Sequence, residues 1–313
     1  MGTQVATIAF CADAYMEAPL HVAASSVLRS LHPDWTAKIY VLTEGINEAA
    51  ILRLRKTLDR VQRPYKLAEI KSPDTSVFRN LRPFHGSYAA YYRLLLPDFI
   101  AEERFLYIDT DTVTTIDVSP LFQLDMNGYP VGFVGGGTVK WALEKAFFIS
   151  LGAKEEDPSF NSGVMLLDVG QWKSQNCFAR LMEFCNAHPD KLIAADQTAL
   201  NVLFAKHCYF LAPEYNLSLS PDRQRTALQN GIYHFVGSPK PWDLFGELFH
   251  PYHYIWSEAL GRIALGFIQR NTYTNVRNWV RFPRIAGGYR RILRQRYKQE
   301  RAASARKNNP EAK

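Results

Sequence analysis

The chain is predicted to fold as an α/β protein whose sheet is mainly parallel and covered on both faces. Apolar runs of strand length alternate with amphipathic helical stretches from the first residues onward, the pattern that builds βα units. No Pro/Ser/Gly-rich linker and no internal repeat interrupts the first 260 residues. With 313 residues, 47% of them apolar, the chain can bury a full core.

Residues 5–11 form the first apolar run, ending at Asp13, and residues 18–31 carry a helical pattern. Residues 38–42 read as the next strand. In residues 46–58 the spacing of Ile51, Leu54 and Leu58, three and four apart, predicts a helix. Strand-like segments resume at 104–108, 130–134, 163–169 and 232–236, with helices between. One domain is expected over 1–269, followed by a basic, aromatic tail over 270–313 that starts as a helix and ends without order. Ligands of such sheets sit at the carboxyl ends of the strands, which directs attention to the residues just past each run.

The formal charge of +7 is unevenly placed. From Arg270 onward there are thirteen Lys/Arg against two acids, which leaves residues 1–269 at −4. In the tail, Tyr273, Trp279, Phe282, Tyr289 and Tyr297 are interleaved with arginines, and Ile292 and Leu293 lie among Arg290, Arg291, Arg294 and Arg296. Basic side chains with aromatic anchors suit an anionic membrane interface, where each cation near the surface contributes about 1 kcal/mol. A solvated tail is the plainer alternative. RNA binding is a third, but the chain shows no nucleic-acid module and no nucleic-acid partner is expected. Cys11, Cys177, Cys185 and Cys208 form no C-x-x-C pair, so reduced, buried thiols are expected rather than a zinc knuckle or a disulfide framework. The N-terminus has no basic n-region, Ala6 stands where N-myristoylation needs Ser or Thr, and no apolar stretch reaches the roughly 18 residues of a membrane span. The expectation is a cytoplasmic protein, peripheral on the inner face of the cytoplasmic membrane.

The sharpest local signal is Asp109-Thr110-Asp111 at the end of the run 104–108. Side chains alternate along a strand, so both carboxylates can project to one side and hold Mg2+ or Mn2+ while diphosphate oxygens complete the shell. Taken alone, D-x-D also describes a solvated turn. The second signal is residues 232–242, where a strand delivers His234, Gly237 permits close backbone approach, and Lys240 follows Pro239. His234 could give a nitrogen to the metal and Lys240 a point charge to an anion. A core histidine and a surface lysine are the bland alternative.

Asp109-Thr110-Asp111 with His234-x-x-Gly237-x-x-Lys240-Pro241-Trp242 resembles the paired signature of glycosyltransferase family 8, the glycogenin-like retaining enzymes, and within it the bacterial lipooligosaccharide galactosyltransferase branch. The resemblance implies a Rossmann-like nucleotide-sugar-binding domain of the GT-A type. It makes Asp109, Asp111 and His234 the metal ligands, with Mn2+ favoured and Mg2+ possible, and a UDP-sugar the donor. It sets Cys11 and Asp13 near the uridine, Arg93 of Tyr91-Tyr92-Arg93-Leu94 on the sugar nucleotide, and Asn161 of Phe160-Asn161-Ser162-Gly163 on the transferred sugar. Asp196 then contacts sugar hydroxyls, Gln197 lies beside the anomeric carbon, and Thr110, Ser162, Gly237 and Lys240 complete the donor set. Read without the resemblance, Arg93 could pair along its own helix, Asn161 could cap a turn and Asp196 could be an N-cap.

The acceptor side departs from the family pattern. His85 falls at an acceptor-contact position, but Gly136, Ala194 and Tyr15 stand where the family has polar partners. A hydrogen-bonding pocket discriminates better than an apolar one, so the acceptor is left open. The activity implied is transfer of galactose or glucose to a glycan or glycolipid in lipopolysaccharide or lipooligosaccharide assembly, by same-face attack because Gln197 is a poor nucleophile. The competing readings are a self-glycosylating or donor-hydrolysing relative, and a non-catalytic nucleotide-sugar-binding membrane scaffold. As an anchor, the tail should be removable without loss of soluble turnover.

Overall fold

The computed structural model describes residues 4–71, 74–83, 87–222, 225–263 and 276–308. The chain forms two compact units, Met1–Leu217 with Asn230–His234, and Ser218–Gln229 with Phe235–Lys313.

The first unit is built on a seven-stranded sheet. Its strands are β1 (Gln4–Asp13), β2 (Trp35–Glu44), β3 (Tyr65–Lys71), β4 (Arg104–Ile108), β6 (Val131–Val134), β9 (Val164–Asp168) and β10 (Tyr209–Leu211), in the spatial order β10-β6-β9-β4-β1-β2-β3. The pairs β1–β2, β2–β3, β1–β4 and β6–β10 are parallel, and only β9 runs antiparallel to its neighbours β4 and β6. The mainly parallel α/β sheet expected from the sequence is therefore present, with one reversed strand. Alternation along β1 shows why both faces are covered: Ala9 and Cys11 enter one core, with Tyr107, Phe133 and Leu181, whereas Ile8, Phe10 and Ala12 enter the other, with Leu28 and Leu54. Helices α1 (Glu17–Ser30) and α2 (Glu48–Asp59) cover the second face. Fully burying side chains such as Phe10 or Leu28 contributes about 2 kcal/mol each.

Two short pairings supplement the sheet. β5 (Thr112–Thr114) pairs antiparallel with the strand Ile232–His234, so the segment 232–236 does not join the main sheet as its apolar run suggested. β7 (Gly137–Thr138) pairs with β8 (Pro158–Ser159). β3 was not legible as an apolar run: at a sheet edge, its sequence Tyr-Lys-Leu-Ala-Glu-Ile-Lys needs only one covered face.

The second unit centres on an aromatic cluster. Trp242 packs on Trp256 with ring centroids 4.5 Å apart, and Phe235 meets Trp242 and His250 edge to face. Helix His253–Ile263 contributes Ile255, Trp256 and Ala259 to this core. The basic tail is helical over Val276–Asn308, with Pro283 inside it. Its apolar residues divide: Ile285, Tyr289 and Ile292 are buried, while Trp279, Val280, Leu293 and Tyr297 are exposed. The strip expected to face a membrane thus loses Tyr289 and Ile292 to the core of the unit, because a helix beside an apolar surface buries its most apolar stripe there. Tyr273 lies outside the described residues. Among the described residues no helix is long and apolar enough to cross a membrane.

Candidate active site

Asp109 follows β4 and stays in the ladder, its N–H donating to the Gly163 carbonyl at 2.7 Å. In the antiparallel pairing with β5, His234 stands opposite Thr112, which brings the imidazole beside the D-x-D turn across more than a hundred residues of sequence. One ligand atom from each of Asp109, Asp111 and His234 lies within 4.8 Å of the others. Nε2 of His234 is 3.1 Å from Asp111 Oδ1 and 3.8 Å from Asp109 Oδ2.

The hydrogen bonds behind the imidazole commit one of its nitrogens and turn the other to the carboxylates. The Gly163 N–H can only donate, and it meets Asn161 Oδ1 at 2.9 Å, which identifies that atom as oxygen. Asn216 Nδ2 donates to the same oxygen at 3.1 Å, so Asn216 must turn its own oxygen to His234 Nδ1, 3.0 Å away. Nδ1 therefore donates to Asn216, which leaves Nε2, the nitrogen facing the carboxylates, as the one that could ligate a metal, with Asn216 as its outer partner. Two carboxylates and an imidazole, 3% exposed, make a donor set that fits a divalent cation. Gly163 makes the convergence possible: a Cβ there would lie 2.1 Å from His234 Cε1 and 2.8 Å from Asp109 Oδ2.

Arg93 joins this cluster to the rest of the site. It comes from the 3-10 helix Tyr91–Leu95 and pairs with distant acids rather than along its own helix. It is 6% exposed, with Nη1 3.2 Å from Asp109 Oδ1 and 2.7 Å from the Ser162 carbonyl, and Nε 3.0 Å from Asp196 Oδ2. Its guanidinium lies over the Tyr107 ring at 4.7 Å, and Tyr107 O–H donates to Asp109 Oδ1. Burial works against the Arg93 charge, and the carboxylates of Asp109 and Asp196 hold it on.

Asp196 begins the helix Asp196–Phe204; the N-cap is Ala195, whose φ of +53° is a strained conformation for a residue with a Cβ. Asp196 is 1% exposed, and its carboxylate pairs with Arg93 without a well-directed hydrogen bond to either oxygen. Burial raises its pKa to about 7, Arg93 opposing and Asp109 adding to the rise. Gln197 Oε1 accepts from Ser162 N and from Asn161 Nδ2, both at 3.0 Å, so its orientation is set by a backbone donor. Asn161, Ser162, Asp196, Gln197, Arg93, Asp109, Asp111 and His234 are thereby brought into one bonded network.

The remaining expected residues are placed as follows. Cys11 is buried in β1, and burial pushes its thiol well above the usual range. Asp13 ends β1 and caps the next turn, Oδ1 accepting from Tyr15 N at 2.9 Å. Thr110 is buried in the D-x-D turn. In the second unit, Gly237 has φ +78°, and Lys240 gives its ammonium to the Phe235 carbonyl and its N–H to Asp243 Oδ2 at 2.7 Å. His85 lies outside the described residues.

Sequence reading missed Asn216, Glu144 and Asn201. Asn216 orients His234. Glu144, 5% exposed, accepts from Thr198 Oγ1 at 2.6 Å and Ala194 N at 3.0 Å, pinning the start of the helix that bears Asp196 and Gln197. Asn201 clamps both backbone groups of Phe160 at 2.9 Å. No local spacing marks these three. Tyr107, two residues before Asp109 on one strand, was readable from parity alone.

Comparison with known proteins shows which family the chain belongs to. Residues 7–245 match the family model Glycosyl transferase family 8. General stress protein A of Bacillus subtilis is 29% identical over 269 residues, 80% of this chain and 91% of that protein. Lipopolysaccharide glucosyltransferase WaaO of Escherichia coli is 27% identical over 169 residues, 50% of this chain and 49% of that one. The crystal structure of the galactosyltransferase LgtC with donor and acceptor sugar analogs superposes with a TM-score of 0.68 at 24% identity, covering 82% of this chain and 96% of LgtC, which shows the shared GT-A fold. A match over most of the length, together with the Asp-Asp-His cluster, makes this chain a member of glycosyltransferase family 8 and hence a glycosyltransferase.

Proposed function

We propose that this chain is a retaining hexosyltransferase that moves galactose or glucose from a UDP-sugar onto a glycan or glycolipid of lipopolysaccharide or lipooligosaccharide assembly. The observation that carries the reading is the convergence of Asp109, Asp111 and His234, with Asn216 holding the imidazole so that Nε2 faces the carboxylates. The hexose and the acceptor class are supported by the named activities of WaaO and LgtC. Mixed carboxylate and imidazole ligands favour Mn2+, with Mg2+ the alternative. A divalent ion held there supplies positive charge to a departing diphosphate.

The chain's own residues do the rest. Arg93 holds Asp109 and Asp196 in fixed positions, sparing the site reorganisation as charge develops. Asp196, without a well-directed hydrogen bond, is set to accept from a sugar hydroxyl, with Asn161 and Ser162 beside it. Gln197, a poor nucleophile, has its amide oxygen committed to Ser162 and Asn161, which favours same-face attack, the acceptor proton passing to a departing phosphate oxygen. Cys11, Asp13 and Thr110 serve the nucleotide, Gly237 and Lys240 the diphosphate, and His85 the acceptor. The basic helix Val276–Asn308 holds the protein to an anionic membrane surface on the cytoplasmic side.

The test is mass spectrometry of nucleotide released from a panel of uridine- and guanosine-linked sugars with Mn2+ and a truncated glycolipid acceptor. Turnover of UDP-galactose or UDP-glucose is expected, with a fall of about 10³-fold in Asp111→Ala. Undiminished turnover in that variant rejects the metal assignment, and a β-linked product from an α-linked donor rejects retention.

A further inference from the structure

We infer that the C-terminal helix Val276–Asn308 is a positioning element for the loop that carries Lys240, with Gly288 and Arg291 as the positioning residues. The inference rests on the reading above, in which Lys240 serves the donor diphosphate.

Three contacts within the second unit bind helix and loop. At Gly288 the two backbones meet: a Cβ would lie 2.6 Å from the Ser238 carbonyl oxygen and 3.2 Å from Pro239 Cδ, so no larger residue fits without moving the loop. Three residues on, Arg291 bridges two strands of chain. Its Nη2 donates to the Ser238 carbonyl at 2.9 Å, and its Nε pairs with Asp222 Oδ1 at 2.9 Å. Asp222 follows Pro221, whose ring lies 3.7 Å from the Cβ position of Gly237. Arg291 therefore fixes chain on both sides of the turn at Gly237. Between them, buried Tyr289 gives its hydroxyl to the Leu244 carbonyl just beyond Lys240.

The loop is internally tight as well. Lys240 N–H is capped by Asp243, and at Gly246 a Cβ would meet the Pro241 carbonyl oxygen at 2.2 Å. A tight loop whose Ser238 and Leu244 carbonyls are both held by one helix moves with that helix. The guanidinium suits this task because its planar fork can serve two partners at once, which an ammonium on a flexible stem does less well. The consequence opposes the reading of the tail as a removable anchor: soluble turnover, without any membrane, depends on it.

The test uses the full chain in detergent-free buffer with a water-soluble acceptor and no vesicles, so that membrane binding plays no part. Arg291→Ala is expected to raise the donor KM about tenfold with kcat changed less, and to weaken Mn2+-dependent UDP binding by calorimetry to a similar extent. Arg291→Lys should recover part of the loss. Arg284→Gln, on an exposed position of the same helix, should match wild type. In a double-mutant cycle, Arg291→Ala should add little in a Lys240→Ala background, which general destabilisation would not produce. Gly288→Val should act in the same direction as Arg291→Ala. If Arg291→Ala and Gly288→Val both keep wild-type donor KM and UDP affinity, or if the Arg291 and Lys240 effects simply add, the inference is overturned. If wild type binds no UDP-sugar with Mn2+, the donor reading fails first and the inference with it.

Discussion

Adding one methyl group at Gly163 would bring carbon to 2.1 Å from His234 Cε1, well inside any tolerated contact, so either the imidazole or the Asp109 carboxylate must leave the cluster. Gly163→Ala is therefore expected to lower Mn2+ affinity about 100-fold and, because the methyl overpacks a buried cluster, to cost about 1–3 kcal/mol of stability, measured by calorimetry and thermal unfolding. Asn216 acts on the same ring from behind. Asn216→Leu frees Nδ1 from its acceptor and lets the tautomer exchange, with an expected loss of about 10- to 100-fold in metal affinity. Asp196 gives a pH signature instead. Its folded pKa is raised from 3.8 to about 7, so between these values the native state holds a proton that the unfolded chain has released. Stability from this group is thus lost as pH rises through that window, by at most about 4 kcal/mol. Asp196→Asn removes the slope: relative to wild type, the variant should gain stability between pH 5 and pH 8 in urea titrations, and a constant difference across that range would show that Asp196 does not carry it.

At the scale of elements, β1, β2, β4, β6 and α1 were legible because each is a buried, contiguous apolar segment with a clear period. β3 was not, since an edge strand with one covered face looks polar on average. The reversal of β9 was also hidden, because a strand buried on both faces reads the same in either direction. For the site, the pair Asp109 and Asp111 was visible in the sequence as a local spacing, and His234 as a distant motif. Their meeting depends on the β5 pairing with Ile232–His234, a register that no local pattern encodes. The start of the helix Asp196–Phe204 shows a similar dependence on partners far away. Its N-cap has no side-chain hydrogen bond, and Ala195 is held at φ +53° by its surroundings, among which the buried Glu144 bonds to Ala194 and Thr198. Glu144→Ala leaves the buried Thr198 hydroxyl without its acceptor, while Ala194 N keeps Thr198 Oγ1 at 3.2 Å. The expected cost is about 1–3 kcal/mol in chemical denaturation, with a fall in kcat as Gln197 loses its fixed seat. A variant that unfolds earlier yet keeps full kcat would separate the stability of this helix start from its use in turnover.

Across the whole molecule, the charge division seen in the sequence, with +11 in the last 44 residues against −4 before them, gains meaning from how the C-terminal helix is packed. With Ile285, Tyr289 and Ile292 buried, the face that remains outside is lined by Gly287, Arg290, Arg291, Arg294, Gln295 and Lys298, with Trp279, Val280 and Tyr297 also exposed. On the membrane reading proposed above, attraction of this face to an anionic surface is chiefly by charge, because its strongest apolar stripe is already committed within the unit. Each Lys or Arg near a membrane rich in acidic lipid contributes about 1 kcal/mol, and the attraction decays within a Debye length, about 8 Å at physiological salt and 3 Å at 1 M. Changing Arg290, Arg294 and Lys298 together to Gln removes about 3 kcal/mol, which is a loss of about 100-fold in partitioning to phosphatidylserine-containing vesicles. Sedimentation with vesicles should show this loss, and wild type should show a comparable one in 1 M salt. The triple variant should keep its soluble turnover, since the contacts that hold the loop come from Gly288, Tyr289 and Arg291. Binding that survives both the triple change and high salt would mean that Trp279, Val280 and Tyr297 carry the attachment by insertion rather than the basic face by charge.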